Sequence, residues 1–379
     1  MSKKRILWVS DSPGAPTGNG KITRNFIKHV GEHYDIACLG RGYMGWPGEA
    51  EKYGCTIYPM NIGKPYPDLM KEIGRQFRPQ AVISCLDMWQ IDWIEYAKQS
   101  EAVTNIGYIS IYGIPVPYQW KKVVKGLDYA ICYSEFGRKV LTEFMPFASL
   151  DMIHLGVDTD VFRPLNDKDK LKKKFKLEGK FVIGCIARNQ IRKRLDKLIE
   201  GFIKFAETHP DAHLYLKTEK STDHGYMLPE LLEDYGITEK VTLAEHKKQN
   251  GFSEESLVEI LNMFDVYVQT AGAEGFGMPI LEAMACGTPV VAPDYSAMSE
   301  LVRDVGIPLT PCFHRVVDMA SVEQVSINTD ELAGVLNNLY DNPDLRKSLG
   351  EKGRDYSLNF TWDRFGERWL DILSRVRWE

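Results

Sequence analysis

Several features that define other protein classes are missing from this sequence. No stretch reaches about 18 apolar residues, the length of a membrane-spanning helix, and the apolar run Ile6–Val9 is too short for a signal peptide. We therefore expect a cytoplasmic protein that does not span a membrane. Because the formal net charge is −5 in 379 residues, a general attraction to nucleic acid or anionic lipid is not indicated.

Metal-binding spacings and a disulfide framework are missing too. The seven cysteines include no CxxC pair, and their number is odd, so reduced thiols are the simplest interpretation. The eight histidines form no HExxH sequence, and GxSxG, HRD and Walker A sequences do not occur. We therefore expect no metal site and none of the hydrolase or kinase chemistries that those motifs mark.

Short apolar runs alternate with amphipathic helices, and this pattern restarts near the middle of the chain. The strand candidates are Ile6–Ser10, Ala81–Cys85, Ile106–Ile111, Ala130–Tyr133, Met152–His154, Phe181–Ala187, Ala212–Lys217, Val241–Ala244, Val266–Gln269 and Pro289–Ala292. Such alternation is typical of parallel sheets that helices cover on both faces. We predict an α/β protein with two Rossmann-like, doubly wound domains that face each other across a cleft, where ligands bind beyond the strand ends.

The predicted domain boundary follows Arg163, because Pro164 opens a polar, charged stretch. The first domain would span residues 1–163 and the second 164–359. The lysine-rich run Lys168–Lys176 is predicted to be a solvated helix face, with a contact to phosphate or acidic lipid as the alternative. The last helix, about Trp362–Trp378, has apolar side chains at helical spacing and is predicted to pack on the protein, with a membrane-surface role as the alternative.

One segment of the second half combines a strand, a glycine-rich loop and a helix. Phe264–Gln269 is the strand, Ala271–Gly277 is the loop, and Pro279 suits the first turn of the helix that follows. The loop therefore brings to a helix N-terminus the backbone N–H groups of Phe276, Gly277 and Met278. Such groups form an anion site that matches a diphosphate.

Two carboxylates belong to this segment and occupy different positions in it. Glu274 lies in the loop, where it can reach a sugar hydroxyl, and Glu282 lies inside the helix, where it can accept hydrogen bonds from a ribose diol. The stretch that begins and ends with these two glutamates, EGFGMPILE, resembles the EX7E segment of retaining GT-B glycosyltransferases, especially glycosyltransferase family 4. The resemblance implies that Gly275 and the neighbouring residues bind the sugar-nucleotide donor.

A second segment, GCIARNQIRKR, carries Arg188 and Lys193 five residues apart after a strand. The same family has an Arg and a Lys at this spacing, where they contact the donor diphosphate. Two cations there stabilise the charge that builds on the departing nucleotide, in place of a divalent metal. A third segment, Gly156–Pro164, resembles an interdomain segment of the family, and we therefore do not interpret its Asp158-Thr159-Asp160 triplet as a metal site.

The glycine-rich stretch Pro16–Phe26 resembles the first loop of family members. Gly18 and Gly20 would allow the backbone to approach the donor closely, and Asn19 stands where many relatives have a glycine or an aromatic residue. On the acceptor side, Asp87 and Tyr112 follow two strands and are predicted to face the cleft. A similar subgroup has Asp-Gly where this chain has Tyr112 and Gly113, so the chemistry on this side departs from the family.

Taken over nearly the whole chain, the resemblance implies a GT-B fold whose last helix, about 360–379, packs back on the first domain. It implies a retaining, front-face and metal-independent transfer from a UDP- or GDP-sugar co-substrate, with no other cofactor. Arg188, Lys193 and Glu274 would be the catalytic residues. The alternatives are a non-catalytic nucleotide-sugar-binding protein and a sugar-nucleotide epimerase.

The acceptor stays open at this point. It is a glycan, a lipid-linked acceptor, a small molecule or a hydroxymethylated base in DNA, and the acidic net charge disfavours DNA. A peripheral membrane contact is an alternative, and no obligate protein partner is inferred.

Overall fold

A computed structural model describes residues 3–60, 65–91, 103–144, 149–245, 253–317 and 322–378. The chain divides into two compact units. The first unit is Met1–Gly156 with Trp362–Glu379, and the second is Val157–Thr361. In the part of the chain that the structure describes, no helix has both the length and the apolar character needed to cross a membrane.

The first unit contains a seven-stranded parallel sheet with the order β3-β2-β1-β4-β5-β6-β7. Its strands are β1 Arg5–Asp11, β2 Asp35–Arg41, β3 Thr56–Pro59, β4 Ala81–Ser84, β5 Thr104–Ile109, β6 Tyr129–Cys132 and β7 Leu150–Met152. Its α-helices are Gly18–Val30, Pro47–Tyr53, Tyr66–Phe77, Trp120–Lys125, Glu135–Phe144 and Trp362–Arg375, and Met88–Gln90 is a 3-10 turn.

An aromatic cluster fixes the last helix to this unit. Trp8 of β1 stacks on Phe26 with ring centroids 4.0 Å apart, and Trp369 of the last helix meets both rings edge-on. All three side chains are fully buried. Because aromatic side chains bury large areas, this contact gives the helix Trp362–Arg375 a structural role in the first unit.

The second unit contains a six-stranded parallel sheet with the order β10-β9-β8-β11-β12-β13. Its strands are β8 Phe181–Ile186, β9 Ala212–Lys217, β10 Val241–Ala244, β11 Val266–Val268, β12 Val290–Pro293 and β13 Ile307–Leu309. Its α-helices are Lys168–Lys174, Leu195–Ala206, Leu228–Asp234, Glu254–Met263, Met278–Ala285, Met298–Val302, Thr329–Asp341 and Pro343–Ser357, with 3-10 turns at Ile191–Lys193 and Thr238–Lys240.

A β-hairpin follows this sheet. Its strands are β14 Pro311–Val317 and β15 Glu323–Ile327, which pair antiparallel. The backbone N–H of Val325 donates to the carbonyl of Gly272 at 3.0 Å. A side chain at Gly272 would meet the Val325 carbonyl at 2.8 Å, so only glycine allows the hairpin to approach the loop after β11 this closely.

The segment 157–163, predicted from the sequence to belong with the first domain, lies with the second unit. Val157 donates its N–H to the Phe360 carbonyl at 2.8 Å. The Arg354 guanidinium donates to the carbonyls of Thr159 and Phe162. Asp158 accepts N–H groups within its own turn, which satisfies a carboxylate of the Asp158-Thr159-Asp160 triplet locally.

Two predicted elements differ from the structure. The first helix begins at Gly18, because the Thr17 hydroxyl accepts the N–H of Gly20 at 3.0 Å and caps it, so Gly18, Asn19 and Gly20 form its first turn and not a loop. The prediction of a solvated lysine face is wrong for Lys172, which is buried with its Nζ 2.6 Å from Asp265 Oδ2. A buried carboxylate holds that lysine against the sheet.

Candidate active site

The order of the second sheet reverses between β8 and β11, which lie side by side at its centre. In open parallel sheets, ligands bind beyond the carboxyl ends of the strands at such a reversal. The loop after β8 contains Arg188 and the 3-10 turn Ile191–Lys193, and the loop after β11 contains Glu274. The predicted donor residues of both segments therefore meet at this edge.

Glu274 is the centre of a buried cluster of charges. Its side chain is 10% exposed, and the Lys193 ammonium donates to Oε1. Arg192 Nη1 lies 3.2 Å from Oε2, and Gln269 Nε2 donates to Oε1 at 2.9 Å. Three side chains from two loops thus hold one carboxylate.

The two cations determine the ionisation of this carboxylate. Burial alone would raise the pKa of Glu274, but the charges of Lys193 and Arg192 outweigh burial and lower the pKa to about 2. Burial lowers the pKa of Lys193, and the charge of Glu274 opposes that change. Glu274 is therefore an anion at neutral pH. Its two cationic neighbours, Lys193 and Arg192, outnumber its single negative charge.

Backbone contacts fix the loop that carries Glu274. The N–H of Glu274 donates to Ser296 Oγ at 3.0 Å, and Ser296 has a left-handed backbone with φ 52°. Arg192 accepts the N–H of Gly272 at its carbonyl, 2.8 Å away, and donates to the carbonyl of Ala273. A non-glycine residue at positive φ is uncommon and persists where its surroundings determine it, so Ser296 is part of a preorganised loop.

The predicted anion site lies at the start of the helix Met278–Ala285. Gly277 precedes this helix with φ 105°, a conformation that L side chains rarely adopt, and Gly275 and Phe276 are buried. The helix follows the loop directly, and the N–H of Ile280 in its first turn donates to the Gly277 carbonyl at 3.0 Å. Glu282 is buried inside the helix, 9% exposed.

A further lysine lies among the predicted donor residues. Burial lowers the pKa of Lys217, at the end of β9; the charges of Glu219 and Glu282 oppose that shift, and Arg188 adds to it. Glu282 and Arg188 therefore both lie close enough to Lys217 for their charges to affect its pKa. Arg188 is itself exposed at the end of β8.

In the first unit, the segment after β1 is fixed by two carboxylates. Asp11 accepts from the Arg41 guanidinium and from the Thr17 hydroxyl, both at 2.6 Å. Glu49 accepts from the Ser12 hydroxyl and from the Gly14 N–H. A Cβ on Gly20 would lie 2.3 Å from the Ala15 carbonyl oxygen, so the chain is folded tightly around that glycine.

The two acceptor-side candidates lie after β4 and after β5 of the first sheet. Asp87 is half-buried and begins the 3-10 turn Met88–Gln90, where its carboxylate and the Gln90 side chain form a capping box. Tyr112 is buried, 8% exposed. Because β4 and β5 are neighbours in the sheet, both residues follow the same carboxyl edge.

The structure brings Lys193, Glu274 and the start of the helix Met278–Ala285 to one sheet edge, with Arg188 and Glu282 beside them. It also adds residues that sequence patterns did not single out: Arg192, Lys217, Gln269 and Ser296. Of these four residues, only Arg192 could have been suspected from the sequence, because it is a cation next to Lys193. Among the described residues, no group of three or more His, Cys, Asp or Glu side chains could hold a metal ion.

Comparison with known proteins agrees with this geometry. Residues 167–356, half of the chain, match the family described as Glycosyl transferases group 1. A GDP-mannose-dependent alpha-(1-6)-phosphatidylinositol monomannoside mannosyltransferase of Mycolicibacterium smegmatis is 29% identical over 274 residues, 68% of this chain and 65% of the relative. A mannosylfructose-phosphate synthase of Agrobacterium fabrum is 33% identical over 150 residues, 38% of this chain and 32% of the relative.

The matches therefore span less than two thirds of the length of these curated relatives. Among solved structures, Anabaena HepE in complex with UDP and glucose superimposes with a TM-score of 0.79 at 17% identity, over 98% of this chain and all of that one. The predicted GT-B fold, with two Rossmann-like parallel-sheet domains, is confirmed. The chain belongs to the glycosyl transferases group 1 family.

Proposed function

We propose that this protein is a glycosyltransferase that moves a hexose from a UDP- or GDP-sugar to a hydroxyl acceptor with retention of anomeric configuration. The observation that carries the proposal is the buried contact of Glu274 with Lys193 and Arg192 at the reversal point of the second sheet. Family membership supports the reaction class. The UDP and glucose in the similar HepE structure and the GDP-mannose dependence of a relative support the donor class.

In this proposal the donor lies over the loop Ala271–Gly277. Glu274 accepts a hydrogen bond from a hydroxyl of the sugar, and Glu282 accepts from the ribose. The N–H groups of Phe276, Gly277 and Met278 bind the diphosphate, because the positive end of a helix dipole and N–H groups that point out of a helix start attract anions. Gly275 keeps this part of the loop free of a side chain.

The charge of the leaving nucleotide is stabilised by Lys193 and Arg188, with Arg192 as an added cation. The bond from the anomeric carbon to the diphosphate oxygen breaks, and the bond to the acceptor oxygen forms on the same face of the sugar. The acceptor proton passes to a diphosphate oxygen, so the reaction needs no protein nucleophile. Preorganised cations can supply this stabilisation without a divalent metal, and we propose metal independence on that ground.

On the first unit, we propose that Gly18, Asn19 and Gly20 approach the reacting groups, and that Asp87 and Tyr112 contact the acceptor. The segment after β1 is suited to this role because Asp11 and Glu49 hold it in place. A glycan, a lipid-linked acceptor, a small molecule and a modified DNA base all stay acceptor candidates.

Release of nucleoside diphosphate tests the proposal. Purified protein is incubated with UDP-glucose, UDP-galactose, UDP-N-acetylglucosamine or GDP-mannose, with and without EDTA, and an acceptor panel is added. We expect one donor to be consumed in EDTA, and the anomeric configuration of the product, read by NMR, to match the donor. Donor binding without consumption would identify a binding protein, and a changed sugar without transfer would identify an epimerase.

A further inference from the structure

Gln269 is a buried polar residue that the proposed chemistry leaves unused. It follows β11 directly, is 1% exposed, and its N–H donates to the Val291 carbonyl at 2.9 Å. Its side-chain Nε2 donates to Glu274 Oε1 at 2.9 Å. A polar amide in a core position is costly unless it is paired, so its partners indicate why it is there.

The orientation of the Gln269 amide is determined by Glu274, because a carboxylate accepts hydrogen bonds and does not donate them. The Tyr267 hydroxyl lies 3.0 Å from Gln269 Oε1 and 3.2 Å from the Ile186 carbonyl, both of which are acceptors. With Nε2 facing Glu274, Oε1 faces this hydroxyl and accepts from it, and the Cys185 thiol lies 3.9 Å from the same oxygen. The reversed amide would put its oxygen against the carboxylate, where both atoms only accept. The hydrogen bonds therefore run in one direction, from Tyr267 to Gln269 and from Gln269 to Glu274, and we call these three side chains the relay.

The relay acts on one oxygen of Glu274. Gln269 and Lys193 both donate to Oε1, whereas Arg192 contacts Oε2 at 3.2 Å. When a diphosphate attracts the two cations, Gln269 has no charge to be drawn away and keeps its bond to Oε1.

We propose that Gln269, whose Oε1 the Tyr267 hydroxyl contacts, is a positioning residue that fixes Glu274 Oε1 so that Oε2 accepts a hydroxyl of the donor sugar. This inference rests on the proposed function. It assigns Gln269 to recognition of the sugar and not of the nucleotide, since its only charged partner among the described residues is Glu274. The distinction can be measured without knowledge of the acceptor.

The test compares nucleotide with nucleotide sugar. Calorimetry gives the Kd values of UDP and UDP-glucose, or of GDP and GDP-mannose, for the wild type and for Gln269→Leu, which keeps the side-chain size. We expect the Kd of the free nucleotide to stay within about twofold, whereas the extra affinity due to the sugar falls about tenfold, as for one hydrogen bond to a charged group. The kcat of nucleotide release should fall by at least as much.

A second variant uses pH. In Gln269→Glu two carboxylates would share the position of the present 2.9 Å contact, and a proton bound between them restores the donor. We therefore expect its rate relative to the wild type to rise as the pH falls. A pH-independent ratio would contradict the relay, because a merely structural defect does not respond to that proton.

Tyr108→Phe is the matched control. The Tyr108 hydroxyl is also fully buried and donates to a carbonyl, that of Ile153, at 2.7 Å, but in the first unit. Tyr267→Phe should reduce the sugar-dependent affinity and Tyr108→Phe should not, at a similar loss of thermal stability. Equal losses for nucleotide and nucleotide sugar in Gln269→Leu, or no loss at all, would overturn the inference. If the wild type binds and cleaves none of these donors, the proposed function itself fails.

Discussion

The two sheets have the same order, with a reversal at the centre, yet their carboxyl edges are built differently. At the second edge, buried charged and polar side chains surround Glu274. At the first edge, the segment after β1 is held by Asp11 and Glu49, while the loops after β2 and β5 expose several apolar side chains and are called the open loops here. Half of the exposed large apolar side chains of the described chain lie in those two loops: Met44, Trp46, Ile114 and Tyr118.

This difference indicates two kinds of recognition. A preorganised and largely buried charge cluster favours one charged group in one geometry. Exposed aromatic and apolar side chains make adaptable contacts with large area. We therefore expect substitutions at the second edge to change donor chemistry steeply, and substitutions in the open loops of the first edge to change acceptor use gently.

Removing the Lys193 charge should have the largest effect. Lys193→Ala deletes a cation that contacts Glu274 and that we assign to the leaving diphosphate, so kcat should fall about 10²-fold, or about 3 kcal/mol of transition-state stabilisation. The rate of nucleotide release measures it. Lys197→Ala is the control, since Lys197 pairs with Glu200 on its own helix, Leu195–Ala206, and not with Glu274. A Lys193→Ala protein with wild-type kcat would contradict the assignment.

The same substitution has a pH consequence. The lowered pKa of Glu274 contributes stability that is present above its unfolded pKa of about 4 and is lost as the pH falls toward about 2. Without Lys193 the pKa of Glu274 rises, because the largest charge that opposes the effect of burial is then lost. We expect the acid unfolding midpoint of Lys193→Ala to move to higher pH, which a fluorescence titration would detect, whereas that of Lys197→Ala should not move.

Gly20 tests the fixed part of the first edge. A Cβ there would lie 2.3 Å from a backbone oxygen that cannot move aside easily, so Gly20→Ala should cost about 3 kcal/mol and lower the Tm of the first unit by several degrees. Gly334→Ala is the counterpart in a helix with open space around the glycine, and it should stabilise by about 0.5–1 kcal/mol. Thermal unfolding of both variants, followed by circular dichroism, checks the pair.

The strands that contain local apolar runs could be predicted from the sequence, whereas strands without such a run could not. Ala212–Lys217 and Val241–Ala244 are strands with the predicted ends, because buried apolar runs mark parallel strands directly. β2, β3, β13 and the hairpin β14–β15 were missed, although β2 contains the buried apolar run Ile36–Leu39. β3 has four residues and ends in proline, and β14 mixes polar with apolar residues, so neither has the apolar run that marks a buried strand.

The candidate site shows the same limit. Glu274 and Lys193 were identified by local motifs, but their direct contact joins residues 81 positions apart and depends on the neighbouring β8 and β11. Gln269 gave no signal, since one polar residue at a strand end is ordinary. Its role follows from its burial and from its contacts with Tyr267 and Glu274, which only the folded chain contains.

Ser296 offers a smaller test of the second edge. Ser296→Ala removes the acceptor for the Glu274 N–H, and a buried N–H without a partner costs about 1–2 kcal/mol. The loop then loses one hydrogen bond that holds it, while the charged side chains around Glu274 remain. We therefore expect a moderate rise in the KM for the donor and a lower Tm. Ser253→Ala, which removes an exposed helix cap in the same unit, should lower the Tm without changing the KM.

The smallest effect on stability is expected in the open loops of the first edge. Trp46 and Tyr118 are 73% and 80% exposed, so Trp46→Ala and Tyr118→Ala should change stability by less than about 0.5 kcal/mol. Nucleotide release in the absence of acceptor should also stay at the wild-type rate, because both residues are outside the donor site that we propose. If these loops bind the acceptor, its KM should rise several-fold while donor binding is unchanged. A loss of donor binding would instead contradict the proposed division of donor and acceptor binding between the two edges. Trp46 and Tyr118 would then be assigned to donor binding.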